Sequence, residues 1–353
     1  MAYTTIDDPT AFFETTLYTG NGGTNSISSL DFQPDWLWIK CRSAASGSNI
    51  FDVLRGTNSL HSDTNGPDAD RASDGFTSLD NDGFTLNGSG SGGSINVNSR
   101  TYAAMNWKAG GSASANSDGS TASSISANTT AGFSIVSYTG AGATTYGHGL
   151  GATPNVIIIK KRTNDSGNNN WFVYHDKVIT AGGSNKSFLT LNETDALSAN
   201  GSATTFTSVS STTFGVGTDD IISESSHTFI AYCFAEKKGY SKFGSYAANE
   251  SVDGTFVYTG FKPAFVILKQ SNLARDWHMF DNKRSTFNAV GRYLRPNVSG
   301  AEDSGEDYLD LLSNGFKLKN TGNRFNDADG TYIFMAFAES PFVTSTGIPT
   351  TAR

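Results

Sequence analysis

The chain has 353 residues, of which 37% are hydrophobic, 38 are glycine and only 16% are charged, enough apolar material to exclude a disordered chain and to fill two or three domains without disulfide or metal. Its 25 basic residues are scattered among 33 acidic ones, for a net charge of −8. It therefore lacks the clustered Lys and Arg that neutralise phosphates, and no nucleic-acid partner is expected.

Taken from the start, the first residues lack the basic head and apolar centre of a signal peptide, and no run of 18 apolar residues follows anywhere. The expectation is a protein made in a cytoplasm, without membrane insertion. Asp8-Pro9 predicts a short helical turn, since proline fits the first turn of a helix. Tyr18-Thr19-Gly20 then precedes Pro34-Asp35-Trp36-Leu37-Trp38-Ile39-Lys40, whose four apolar residues between Pro and Lys read as a strand buried on both faces. Phe51-Asp52 with Arg55, the turn and strand Asp82-Gly83-Phe84-Thr85-Leu86, and the aromatic strand Tyr102 to Trp107 complete a first set.

The set recurs. Tyr-Thr-Gly stands at 18, 138 and 258, a spacing of 120 residues both times, and the Pro-x-(apolar)4-Lys run returns as Pro154 to Lys160 and Pro263 to Lys269. Phe280-Asp281 with Arg284 matches the first copy, with Tyr174-His175 a looser counterpart. Later come Phe214-Gly215-Val216 and Gly315-Phe316-Lys317-Leu318, then the closing strands Phe229 to Phe234 and Tyr332 to Phe337. Ordered markers of this kind predict an all-β chain of three tandem diverged β-sandwich repeats. The expected bounds are 1–110, 132–238 and 239–345, with a C-terminal tail at 346–353.

Only 5 residues separate the Tyr258 and Pro263 markers, against 16 in the earlier copies, which predicts that the third copy has lost an 11-residue loop. Residues 111–131, rich in Gly, Ser, Ala and Asn, read as a flexible linker that lets copy one move, while copies two and three are expected to pack together. A short helix is predicted over Glu306 to Leu312, stopped by Asn314-Gly315. Asn87-Gly88, Asn200-Gly201, Asp253-Gly254 and Asp329-Gly330 read as further turns.

Chemistry is sparse. The five histidines, at 61, 148, 175, 227 and 278, adjoin no Gly-x-Ser-x-Gly elbow. The carboxylates Glu302, Asp303, Glu306, Asp307 and Asp310 could supply a glycosidase pair but read better as a solvated segment. Asp80 to Gly83 and Asn326 to Gly330 resemble calcium loops only superficially, because Asp-Gly serves a hairpin's backbone angles. The glycine stretches at Gly20-Asn21-Gly22-Gly23 and Gly140-Ala141-Gly142 lack the lysine and helix of a phosphate cradle. Cys41 and Cys233 read as buried free thiols. Trp36, Trp38 and Trp107 read as core, and Trp171 and Trp277, at equivalent places, as packing residues before sugar platforms. No catalytic, cofactor-binding or metal residue is predicted, and the binding residues are left open.

Longer phrases carry a resemblance. Phe32-Gln33-Pro34-Asp35 with the strand after it, Phe229 to Glu236, Gly239 to Tyr246, Phe256 to Pro263, and Tyr332 to Glu339 with Ser340-Pro341-Phe342 resemble a family of tandem-repeat virion proteins of tailed, especially marine, bacteriophages. The resemblance spans nearly the whole chain. It implies a virion structural protein: a tail-fibre or spike component that presents β-modules to a host-surface glycan, or alternatively a head fibre or capsid-decoration protein. It implies no catalytic residues. The expected partners are other virion proteins, further copies of the chain (a homotrimer first), and a surface glycan, with no cofactor. A glycan-cleaving enzyme is the rival from another class.

Overall fold

The structure is a computed structural model that describes residues 2–88, 94–163, 167, 169–182, 187–198, 205–218, 220–322 and 324–350. It is all-β, in antiparallel sheets that group as three sandwich-like units. Among the described residues, the only departures are a 3-10 turn at Pro9–Ala11, capped by Asp8, and the helix α1 at Asp220–Ser223. Among these residues no helix is long and apolar enough to cross a membrane.

Unit one contains β1 (Phe13–Thr19), β2 (Asn25–Ile27), β3 (Trp36–Cys41), β4 (Asn49–Asp52), β5 (Asn58–His61), β6 (Ala69–Asp70), β7 (Phe76–Asp80), β8 (Gly83–Leu86) and β9 (Thr101–Trp107). Then come β10 (Ser114–Asn116) and β11 (Ser123–Asn128). Unit two continues with β12 (Phe133–Thr139), β13 (Thr144–Gly147), β14 (Val156–Lys161), β15 (Trp171–His175), β16 (Leu189–Thr190), β17 (Phe206–Val209), β18 (Thr213–Val216) and β19 (Thr228–Phe234). Unit three has β20 (Ser241–Ala247), β21 (Phe256–Tyr258), β22 (Phe261–Gln270), β23 (Trp277–Asp281), β24 (Val290–Tyr293), β25 (Asp303–Leu312), β26 (Gly315–Leu318) and β27 (Thr331–Pro341).

Each unit has two sheets, called large and small after units one and two; in unit three both have four strands. The large sheets run β1-β9-β3-β4-β5-β6, β10-β11-β12-β19-β14-β15-β16 and β20-β27-β22-β23, and the small ones β2-β8-β7, β13-β18-β17 and β21-β26-β25-β24. Between them lies each unit's own core, around Phe51 and Phe84 in unit one, Phe172 and Phe214 in unit two, and Phe280 and Phe316 in unit three.

The central strands of the large sheets are apolar on both faces because their second face meets the other units. One continuous core takes Phe13, Trp36, Trp38 and Trp107 from unit one, Phe133, Tyr232 and Phe234 from unit two, and Phe265, Met335 and Phe337 from unit three. Trp107, Phe234 and Phe337 hold the same register position, opposite Trp36, Val156 and Phe265. Trp36 lies 4.4 Å from Trp107 and 4.7 Å from Tyr232, ring to ring, and Phe337 lies 5.5 Å from Trp107 and 6.0 Å from Phe234. The three units are thus packed around one pseudo-threefold axis.

Lys40, Lys160 and Lys269 occupy one topological position, opposite Ala103, Ile230 and Ile333. All three are fully buried. A buried ammonium is tolerated only when its donors are satisfied, and main-chain carbonyls satisfy these. Lys160 reaches Asn65 O of unit one at 3.2 Å, Lys269 reaches Thr194 O of unit two at 3.1 Å, and Lys40 reaches Val298 O of unit three. Just past each lysine, the carbonyls of Arg42, Arg162 and Ser271 accept from the amides of Glu302, Asp68 and Leu197. Every unit is therefore fastened to another in a closed cycle.

Four expectations are corrected. First, residues 111–131 hold β10 and β11, which extend the sheet of unit two, so this segment is not a flexible linker and copy one is not loosely attached. Second, the third counterpart of Tyr18 and Tyr138 is Tyr246 and not Tyr258: all three hydroxyls donate to a carbonyl (Ile95, Ile222, Phe325), and all three rings stack on the partner strand, on Tyr102, Phe229 and Tyr332. Third, since Tyr258 belongs to the small sheet, no 11-residue loop has been lost. Fourth, Glu306 to Leu312 is strand, within β25, because Leu309 to Leu312 pair with β26. Asn200-Gly201 lies outside the described residues.

Candidate functional site

Unit three carries a feature built from one motif. After β23, Asp281 Oδ1 accepts the amides of Lys283 at 3.0 Å and Arg284 at 2.7 Å, while the Arg284 guanidinium pairs with Asp281 Oδ2 and donates to Met279 O at 2.8 Å. Asp52 and Arg55 make the same turn in unit one, where Arg55 and Asp52 also bond Tyr232 of unit two. The shared Phe-Asp and Arg therefore lock a turn. His175 holds the aspartate's place in unit two, buried, and contacts Phe334 O of unit three.

Beyond this turn, residues 285–289 form a loop tied to β25 by Asn288, whose side chain donates to Leu311 O and accepts from Leu311 N, both at 2.9 Å. The loop and β24–β25 enclose an open cleft of about 830 Å³. Phe287 stands on its rim with 83% of its surface exposed. Ser285, Thr286, Arg292, Glu306, Asp307 and Asn320 supply polar lining, and Gly291 and Gly305 keep part of the wall low. A planar apolar ring among donors and acceptors suits a ligand that is flat and apolar on one face and hydroxyl-rich at its edge.

The wall is electrostatically rigid. Glu302 accepts from Arg42 at 2.9 Å, Arg292 at 2.9 Å and Arg284 at 3.4 Å. Burial by itself would raise this carboxyl, but the hydrogen bond from Arg42 and the charge of Arg284 outweigh it, holding the group below its ordinary value. Arg292 keeps about half of its side-chain surface exposed, so it can still turn a donor toward the cleft.

The carboxylates singled out in sequence divide between two roles. Glu302 and Asp303 are spent on arginines and on the Tyr293 hydroxyl, and Asp310 faces Lys319 at 3.4 Å. Only Glu306 and Asp307 line the cleft. They are successive residues of one strand and do not face each other across a substrate, as a glycosidase pair must.

The five histidines are dispersed: His175 and His278 are buried in different units, His148 caps Leu150, His61 lies beside Asp63, and His227 beside Glu224. Among the described residues, no group of three or more His, Cys, Asp or Glu is placed to hold a metal ion. Cys41 and Cys233 are free and buried in the cores of units one and two. All five tryptophans are buried, Trp171 and Trp277 in the central core, where their indole N–H groups donate to His61 O and Thr190 O of the neighbouring unit. Phe287, Asn288 and Arg292 escaped the sequence reading. The available signal was a lone phenylalanine in an otherwise polar stretch, Arg284 to Asn288.

A family described as Domain of unknown function (DUF7483) matches residues 8–341. No curated relative and no solved structure matches the chain.

Proposed function

Since the chain belongs to the DUF7483 family through one stretch that takes in all three units, we propose a single role for the whole body: a structural protein of a bacteriophage virion, a tail-fibre or spike component that binds a host-surface glycan. The phage assignment rests on the resemblance in the repeat phrases. The binding role rests on one observation, the open polar cleft of unit three with the exposed Phe287 ring at its rim. Sugars present an apolar C–H face and a hydroxyl edge. Phe287 would take the face, and Arg292, Glu306, Asp307 and Asn320 the edge. Such a site binds weakly, at about millimolar strength, so useful attachment needs several bodies engaged together. Assembly of several chains, a trimer first, fits that need.

The pseudo-threefold body favours one other reading, since three alike sides suit a seat on a threefold point of a capsid as a head fibre or decoration protein. Antibody labelling of particles separates the two: tail labelling supports the fibre, and uniform head labelling supports decoration. The binding role is tested by retention of host cells or their surface polysaccharide on immobilised protein. Phe287→Ala should weaken retention about tenfold, a loss of ~1.4 kcal/mol, with thermal stability unchanged. Equal retention by the variant, or release of reducing sugar ends by the native chain, overturns this reading.

A further inference from the structure

β1, β12 and β20 hold the same place in their units, paired with β9, β19 and β27 through Tyr18, Tyr138 and Tyr246. On its other side β12 is covered by β11, with Ile125 opposite Val136. Ile125 is buried and belongs to the core of unit two. β20 lies at the edge of its sheet, with β27 as its one strand partner among the described residues; on its open side Ser241 bridges Lys237 and Ala247 O accepts from Thr255 Oγ1 at 2.8 Å, which leaves the main chain of Phe243 to Ser245 as the open stretch.

The amide of Ala248 donates to Gly330 O across that pair. Alternation then turns the main chains of Tyr246 and Gly244 toward β27, and those of Phe243 and Ser245 toward the open side. An edge of this kind is a template for another strand.

The side-chain seat is present too. With Tyr246 equivalent to Tyr138, Gly244 is equivalent to Val136, the residue that faces Ile125. Beside Gly244 a slot of about 340 Å³ opens between the two sheets, lined by the rings of Tyr246, Phe256, Tyr258 and Phe334, with Lys242 and, from unit two, Lys177 also in its wall. Phe256 and Tyr258 are 44% and 56% exposed, a high value for aromatic rings on adjacent surface. In unit two the corresponding space is closed by Ile125.

We propose that the β20 edge accepts an extended strand from another polypeptide, antiparallel to β20, made of small hydroxyl and methyl side chains with one aliphatic residue seated in this aromatic slot. β11, with Ser123-Ser124-Ile125-Ser126-Ala127-Asn128, is the template for that strand within the same molecule. Main-chain bonds to Phe243 and Ser245 supply the pairing, and the aliphatic residue selects the register.

The test uses the full chain and a synthetic peptide of residues 121–130, with a second peptide carrying Ile125→Asp. Hydrogen exchange across β20 should slow about tenfold or more at saturating native peptide. The Ile125→Asp peptide should give no such protection. Ser245→Pro removes an outward-facing donor, a change that edge strands tolerate, and Tyr258→Ser opens the slot; each should abolish the protection. The proposal is overturned if exchange is unaffected at several-fold above about millimolar peptide, or if both variants protect as the native chain does. It is equally overturned if β20 is already protected in the chain alone at twice its monomeric mass, since a second copy would then be the occupant.

Discussion

Trp36→Ala tests whether the units share one core. The ring is fully buried and lies within 4.4–5.7 Å of Trp38, Trp107, Phe133, Tyr232 and Phe234. Truncating a buried aromatic to alanine costs about 3–5 kcal/mol. Three of the five rings belong to unit two, so roughly half of that cost or more, about 2 kcal/mol, should be felt in unit two, although the substitution is in unit one. The control is Phe51→Ala, which removes a ring stacked on Phe76 at 4.0 Å inside unit one's own sandwich. Native-state hydrogen exchange in sub-denaturing urea reads both. In Trp36→Ala, the amides of β19 should lose protection together with those of β3; in Phe51→Ala, β3 should loosen first. If Trp36→Ala costs less than about 1 kcal/mol, or leaves β19 as protected as before, the units are independent domains in contact and the shared-core argument fails.

Burial lowers His175 to about 4 and His278 to about 3, so the unfolded chain, with histidine near 6.5, binds protons that the folded chain refuses. The urea midpoint should therefore hold between pH 6.5 and about 8 and fall steadily as pH drops from 6.5 toward 4; a flat profile refutes the burial argument. Burial also lowers Lys40 and Lys269 to about 8 from 10.5. Here stability should rise between pH 8 and about 10, above which tyrosines of the unfolded chain ionise, and Lys269→Met should flatten that rise while weakening the fold by stranding three carbonyls. Limited proteolysis should spare residues 111–131, because β11 is hydrogen-bonded along β12; early cleavage there would show that the edge hairpin frays.

Legibility in the sequence followed burial. The Pro-x-(apolar)4-Lys runs gave the register of all three large sheets because a strand buried on both faces must be continuously apolar, and its lysine must end among carbonyls. Tyr-Thr-Gly misled because three residues are too few to fix a position. The true third member is Tyr246, followed by Ala-Ala, and it stands 17 residues before Pro263, close to the 16 of the other copies. β10 and β11 were invisible because an outer strand with one buried aliphatic residue shows little alternation, and small polar residues read the same in a linker. β25 was misread because Tyr308-Leu309-Asp310-Leu311-Leu312 satisfies both periods, and only pairing with β26 decides between them. The cleft could not be foreseen, since Phe287 gains its exposure from a loop anchored to a strand 23 residues further on.

The closed cycle of lysine contacts has a consequence for chain order. Unit three grips unit two, unit two grips unit one, and unit one grips unit three, so no unit is peripheral in space although two are terminal in sequence. The first and last stretches of the described chain also meet: Tyr3 packs 6.4 Å from Phe342, ring to ring, and Asp7 accepts from the amide of Ser345 at 2.6 Å. Joining those stretches with a short bridge and reopening the backbone at a surface turn between units would give a circular permutant whose first residue lies in unit two and whose contacts around the axis are unchanged. A ring of this kind is indifferent to where its backbone starts, and three separate chains, each carrying one unit, could form the same body.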